Sequence, residues 1–111
     1  MFNSIIATDL SEKKTFIRAG YTYNQITFDP EHKIGIWSLS TPDGKPAGFE
    51  AVRGVKKKNP DGSITFTYPS SEQFGAHGWY YGTLEGALGK YNQLQLGYKH
   101  NSIVAVQTVI L

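Results

Sequence analysis

Thr41-Pro42-Asp43-Gly44 and Asn59-Pro60-Asp61-Gly62 carry the same punctuation, x-Pro-Asp-Gly, and it decides the fold class. Proline presets φ at the second turn position, aspartate bonds the backbone ahead of it, and glycine accepts positive φ, so each tetrapeptide reads as a hairpin connection. Asp29-Pro30-Glu31-His32-Lys33 reads as a third turn and the polar Asp9-Leu10-Ser11-Glu12-Lys13-Lys14 as a fourth. The pieces between them are short and rich in β-branched and aromatic residues, the pattern of an antiparallel meander.

Outward from the turns, strands are expected at residues 2–8, 15–19, 21–28, 34–40, 49–56, 63–68 and 103–110. Ile64, Phe66 and Tyr68 alternate with Thr65 and Thr67, which puts one face of that strand on a core. Near the carboxyl end, Ile103, Ala105 and Val109 share one parity and Val104, Val106 and Ile110 the other. Such a strand is buried on both faces or covered by a partner subunit, so a homo-oligomer is one expectation.

One segment changes period. Leu84, Ala87, Leu88, Tyr91, Leu94 and Tyr98 follow helical steps, with Thr83 as N-cap, Glu85 in the first turn and Gly97 as a natural stop. Gly86 and Gly89 project away from this apolar face and permit close approach by another element. The sequence therefore predicts a single α+β domain over residues 1–111: a largely antiparallel, curved or barrel-like sheet of about six strands, with one helix over about 84–96 packed on it.

Composition narrows the function classes. A chain of 111 residues supports one core. The absence of cysteine removes thiol nucleophiles, Cys-based zinc sites and disulfides, and fits a reducing, cytoplasmic setting. The opening residues 1–8 lack the basic start and long apolar run of an export signal. Residues 103–111, the longest apolar run, are interrupted by Gln107 and Thr108, so no membrane association is expected. His32, His77 and His100 lack ligand spacing, and neither a Walker loop nor a dinucleotide fingerprint occurs; no metal and no cofactor are expected. Glu50, Glu72 and Glu85 are the acids that do not fall in turns, and their spacing defines no catalytic pair.

Two clusters could carry function. In Phe74-Gly75-Ala76-His77-Gly78-Trp79-Tyr80-Tyr81-Gly82, glycines surround a histidine and three consecutive rings, just before the helix start. His77, Trp79, Tyr80, Tyr81 and Glu85 would then form a partner or ligand site, by stacking and hydrogen bonding; the alternative is that the rings pack beneath the helix. The second is Arg53-Gly54-Val55-Lys56-Lys57-Lys58. Residues 1–58 carry nine Lys/Arg against six Asp/Glu, and residues 59–111 two against three, so the positive charge is local to the first half. Arg53, Lys56, Lys57 and Lys58 could follow a phosphate backbone, or serve as solvated charges that discourage edge pairing. The leading expectation is a non-enzymatic interaction protein that binds a macromolecular partner or itself. Its alternatives are a nucleic-acid-binding module on the basic hairpin and a small-ligand binder or small enzyme centred on residues 74–82.

Overall fold

Both Pro-Asp-Gly turns join antiparallel neighbours. The computed structural model describes the backbone of residues 6–110 and the side chains of residues 6–97. Its elements are β1 (Thr15–Arg18), β2 (Tyr21–Asp29), β3 (Ile34–Ser40), β4 (Pro46–Arg53), β5 (Val55–Lys58), β6 (Ile64–Thr67), β7 (Gly78–Tyr81) and α1 (Leu84–Ile110), with short 3-10 turns at Leu10–Glu12 and Ser71–Gln73. A five-stranded antiparallel sheet runs β1-β2-β3-β4-β7, and β5 and β6 pair as a separate hairpin.

Turn chemistry explains the connections. Between β3 and β4, the Gly44 N–H donates to the Thr41 carbonyl at 2.8 Å with Gly44 at φ 87°. Between β5 and β6, the Gly62 N–H reaches the Asn59 carbonyl at 2.9 Å with Gly62 at φ 89°. Residues 29–33 close β2 onto β3, with Lys33 at φ 59°. A further tight turn links β1 to β2 through Ala19 at φ 53° and Gly20 at φ 85°.

Four expectations are corrected. Of the two expected forms, curved or barrel-like, the second is not met: among the described residues the sheet is open, with β1 and β7 as edges, and does not close into a barrel. Residues 49–56 are not one strand: β4 ends at Arg53 and Gly54 redirects the chain, lying so close to β6 that a Cβ there would stand 2.8 Å from the Phe66 Cβ. Of the strand expected at 2–8, residues 1–5 lie outside the described residues, and Ile6, Ala7 and Thr8 have no regular structure. The strand expected at 103–110 is helix, because α1 passes through Gly97 and runs on to Ile110. An interior glycine costs only about 1 kcal/mol, too little to end a cooperative helix. A continuous apolar run fits either a helix or a buried strand.

The sheet buries both faces. Toward α1, Ile36 and Ala51 meet Ala87, and Phe49, Tyr81 and Tyr91 pack around them. Thr83 caps the helix as expected, its Oγ1 accepting the Gly86 N–H at 3.1 Å. Gly86 provides the close approach, since a Cβ would lie 3.0 Å from the Tyr81 ring; around Gly89 the described residues leave open space. At the far end of the sheet, Gln95 Nε2 donates to Asp29 Oδ2 at 3.0 Å and fastens α1 to β2. On the opposite face Leu10, Tyr23, Trp37, Leu39 and Val52 form the second core, with Phe16, Phe28, Tyr68 and Phe74 against it.

Trp37 is fully buried, and its Nε1–H donates to the Lys13 carbonyl at 2.6 Å. Gly35, two residues earlier on the same face, makes room for the ring: a Cβ there would lie 2.6 Å from Trp37 Cζ3. Gly35→Ala is therefore expected to overpack the core and lower stability by about 1–3 kcal/mol, read from the midpoint of urea unfolding.

Asp29 gives a pH-dependent test of the helix anchor. Burial pushes its carboxyl up, but hydrogen bonds from Gln95, from the His32 side chain and from the His32 and Glu31 N–H groups outweigh it and hold the pKa at about 2, against 3.8 unperturbed. The native state thus releases this proton more readily than the unfolded chain. The stabilisation is complete above pH 3.8 and lost as pH falls toward about 2. Across that window Asp29→Asn should unfold with a shallower acid dependence than the parent in a pH-stepped thermal melt.

Candidate functional site

A carboxylate in mid-strand has to find donors or lose its charge, and Glu50 meets that demand on the face of the sheet away from α1. It sits in β4 opposite Trp37 of β3 and Tyr80 of β7, and is 8% exposed. The Tyr68 hydroxyl donates to Oε1 at 2.6 Å, and the Tyr23 hydroxyl approaches Oε2 at 3.5 Å. Burial pushes the Glu50 carboxyl above its ordinary value, with the Tyr68 hydrogen bond, the Arg18 charge and the Tyr23 hydrogen bond pulling partly back. Both tyrosine hydroxyls are driven upward, first by burial and then by the neighbouring Glu50.

The rings that hold Glu50 form one packed group. Phe16 stacks on Tyr23 at 4.6 Å, and Tyr68 stands edge-on to Phe16 and Trp37, each at 5.1 Å. Tyr68 begins the segment 68–74, a strap that crosses this face after β6. Arg18 of β1 pins the strap: Nη1 donates to the Pro69 carbonyl at 2.8 Å, and the guanidinium lies 5.5 Å from the Tyr68 ring centre and 5.9 Å from that of Phe74.

Two open hollows meet at this contact. The inner one, about 370 Å³, is bounded by Arg18, Tyr23, Glu50, Ser71 and Phe74. The outer one, about 550 Å³, is bounded by Lys13, Phe16, Ile17, Arg18, Tyr68 and Ser71, with no carboxylate in its lining. Lys13 Nζ rests 4.5 Å from the Phe16 ring centre. Among the described residues neither Lys13 nor Arg18 forms an ion pair within 4.0 Å. The inner hollow thus has a carboxyl floor, the outer one a cationic wall, and Arg18 belongs to both.

The residues singled out in the sequence are dispersed by the pleat of β7. Trp79 and Tyr81 pair with Ala51 and Phe49 on the α1 side, and Tyr80 faces the other way. Lys90 Nζ covers the Trp79 ring at 4.2 Å and Arg53 lies 5.7 Å from it. Tyr81 packs in the helix-side core, whereas Tyr80 is 56% exposed and donates to the Ala47 carbonyl at 2.6 Å. His77 is half-buried just before β7, its carbonyl accepting the Arg53 N–H at 2.7 Å, and Glu85 is exposed in the first turn of α1. The basic set also divides. Lys56, Lys57 and Lys58 are exposed on the β5–β6 hairpin, while the Arg53 guanidinium bonds the Ala76 carbonyl beside Trp79.

Asp29, Glu31 and His32 bring potential metal-ligating atoms within 4.8 Å of one another. Their proximity follows from the turn, where the Asp29 carboxylate already takes the Glu31 and His32 N–H groups, the His32 ring and Gln95. Among the described residues no helix is long and apolar enough to cross a membrane. No protein family, curated protein or solved structure matches the chain.

The sequence contained part of the signal for the groove. Glu50 stood out as an acid beyond the turns, and Tyr68 as a ring expected on the core, although the alternation that suggested it is reversed at the start of β6, where Ile64 is 45% exposed and Thr65 is buried. Arg18 and the strap gave no local signal, because their meeting joins residues 51 positions apart.

The raised Glu50 pKa fixes the sign of a pH effect. The native state holds this proton more tightly than the unfolded chain, so the contribution of Glu50 to stability falls as pH rises from 4.5 through its native value. The stability of the parent relative to Glu50→Gln should decline over that interval and then level off, in urea titrations at stepped pH. Tyr68→Phe removes the donor at Oε1 and is expected to cost about 1–3 kcal/mol in the same titrations.

Proposed function

We propose that this protein is a non-enzymatic binding module of the cytoplasm that seats an anionic group of a partner in the groove between β1 and the 68–74 strap. The observation that carries the reading is the meeting of the two hollows at Arg18, a guanidinium oriented by a carbonyl and two rings rather than by a paired carboxylate. Arginine held this way keeps further donors in a fixed plane, the arrangement that recognises carboxylate or phosphate. Lys13 adds a second cation, and Ser70 and Ser71 supply hydroxyls on the opposite wall. Glu50 fits a recognition role better than proton transfer, because both of its oxygens face tyrosine hydroxyls. A protein partner, including a second copy of the chain, is the macromolecule this reading favours.

A second reading moves the anion to the β5–β6 hairpin, where three consecutive lysines are exposed. Nucleic acid bound there would lose affinity steeply with salt.

Titration of isotope-labelled protein with succinate, benzoate and inorganic phosphate separates the two sites. Saturable amide shifts are expected at Arg18, Ser70 and Ser71, and Arg18→Gln should abolish them. Shifts confined to residues 56–58, or no saturable shift at all, would sink the groove reading.

A further inference from the structure

We infer that the natural occupant of the groove is an extended peptide of alternating acidic and apolar residues, added to the sheet along the open edge of β1. The inference rests on the anion-binding reading and specifies its ligand. It starts from the Ala19-Gly20 turn. With both central residues at positive φ, at 53° and 85°, and Arg18 paired with Tyr21, this is a two-residue hairpin of the primed type. In such a hairpin the closing pair exchanges hydrogen bonds, and hydrogen-bonded pairs then recur at every second residue. Arg18 and Phe16 therefore direct their backbone groups toward β2. The Gln25 N–H donating to the Lys14 carbonyl at 2.7 Å continues the same phase. Thr15 and Ile17 consequently aim their N–H and C=O groups off the sheet, where β1 has no neighbouring strand among the described residues.

Side-chain parity selects the ligand. By the pleat of β1, Phe16 and Arg18 face the groove and the Ile17 side chain, 74% exposed, turns to the other side, while Ile17 also borders the outer hollow at the sheet edge. A strand laid against Thr15 and Ile17 alternates its own side chains between these two environments. Those on the groove side meet Lys13 and Arg18 at the carboxylate-free outer hollow, and those on the far side meet Ile17. Opposite charge is favoured in the first position and apolar contact in the second. Residues 13–18 contain three cations and no acid, so pairing of this edge with a second copy of itself would set like charges together. An acidic, extended segment from another protein satisfies the edge, the hollow and the exposed isoleucine at once.

The probe is a blocked peptide of alternating valine and glutamate, compared with its valine–lysine counterpart and with versions N-methylated either at every valine or at every glutamate. The acidic peptide is expected to bind about tenfold or more tightly than the basic one, and to slow amide exchange at Thr15 and Ile17 about tenfold or more. One N-methylated version should keep binding and the other lose it, because only alternate N–H groups of an added strand face the sheet. Joint substitution Lys13→Gln and Arg18→Gln should erase the preference for acid. The methylated pair tests the geometry on the unaltered protein should that variant fold poorly. Equal binding of both methylated peptides, or binding that leaves Thr15 and Ile17 unprotected, overturns the inference. Groove binding of succinate without binding of any peptide overturns the peptide and spares the anion site. Failure of both removes the site, and protection of residues 56–58 by a single-stranded oligonucleotide would then transfer recognition to the hairpin.

Discussion

Everything on the groove side of the sheet depends on the burial of Trp37. The indole occupies the middle strand, takes its space from Gly35, and reaches across two strands to the carbonyl of Lys13. That bond fixes the approach to β1. The ring's contact with Tyr68 fixes the start of the strap. A fully buried indole N–H without an acceptor would cost more than the bond contributes, so the chain entering β1 has little freedom to move while Trp37 stays in place. Lys13 and Phe16, on either side of Lys14, inherit their positions from this one donor.

The same packing explains how a carboxyl is tolerated in the core. Tyr23 and Tyr68 bring apolar bodies to Trp37 and Phe16 and turn their hydroxyls to Glu50. One set of rings therefore serves as core on its inner side and as the polar lining of a cavity on its outer side. The helix-side layer is different in kind: Ala87 and Gly86 let α1 lie close against Ala51 and Tyr81, and the layer is sealed by packing. The two hollows fall on the side closed by a strap, because a strap leaves gaps that a helix fills.

What could be read from the sequence follows from how local each signal is. Proline, aspartate and glycine at fixed offsets gave the hairpin turns, because turn geometry is decided within four residues. The helix start at Thr83 and Leu84 was equally local. β7 was missed because its glycine, tryptophan and tyrosines resemble a loop cluster until they are paired with β4. The end of α1 was missed because Gly97 and the β-branched residues beyond it suit more than one structure. For the site, Glu50 and Tyr68 were visible as individual oddities. Arg18 acquired meaning only once the strap crossed it, and the aromatic run 79–81 lost unity once the strand pleat sent alternate rings to opposite faces.

The position of β7 also bears on the order in which the molecule assembles. β1 to β4 are joined by tight turns and can zip up from neighbouring contacts, whereas β7 pairs with β4 only after residues 54–77 have made their excursion. Closing that long loop carries an entropic cost that the short hairpins avoid, which places it late in folding. Arg53 is the clasp: its backbone N–H binds the His77 carbonyl, and its guanidinium binds that of Ala76. Because the strap lies inside the excursion, a chain folded only through β1 to β4 would present the edge of β1 without the strap that walls the groove.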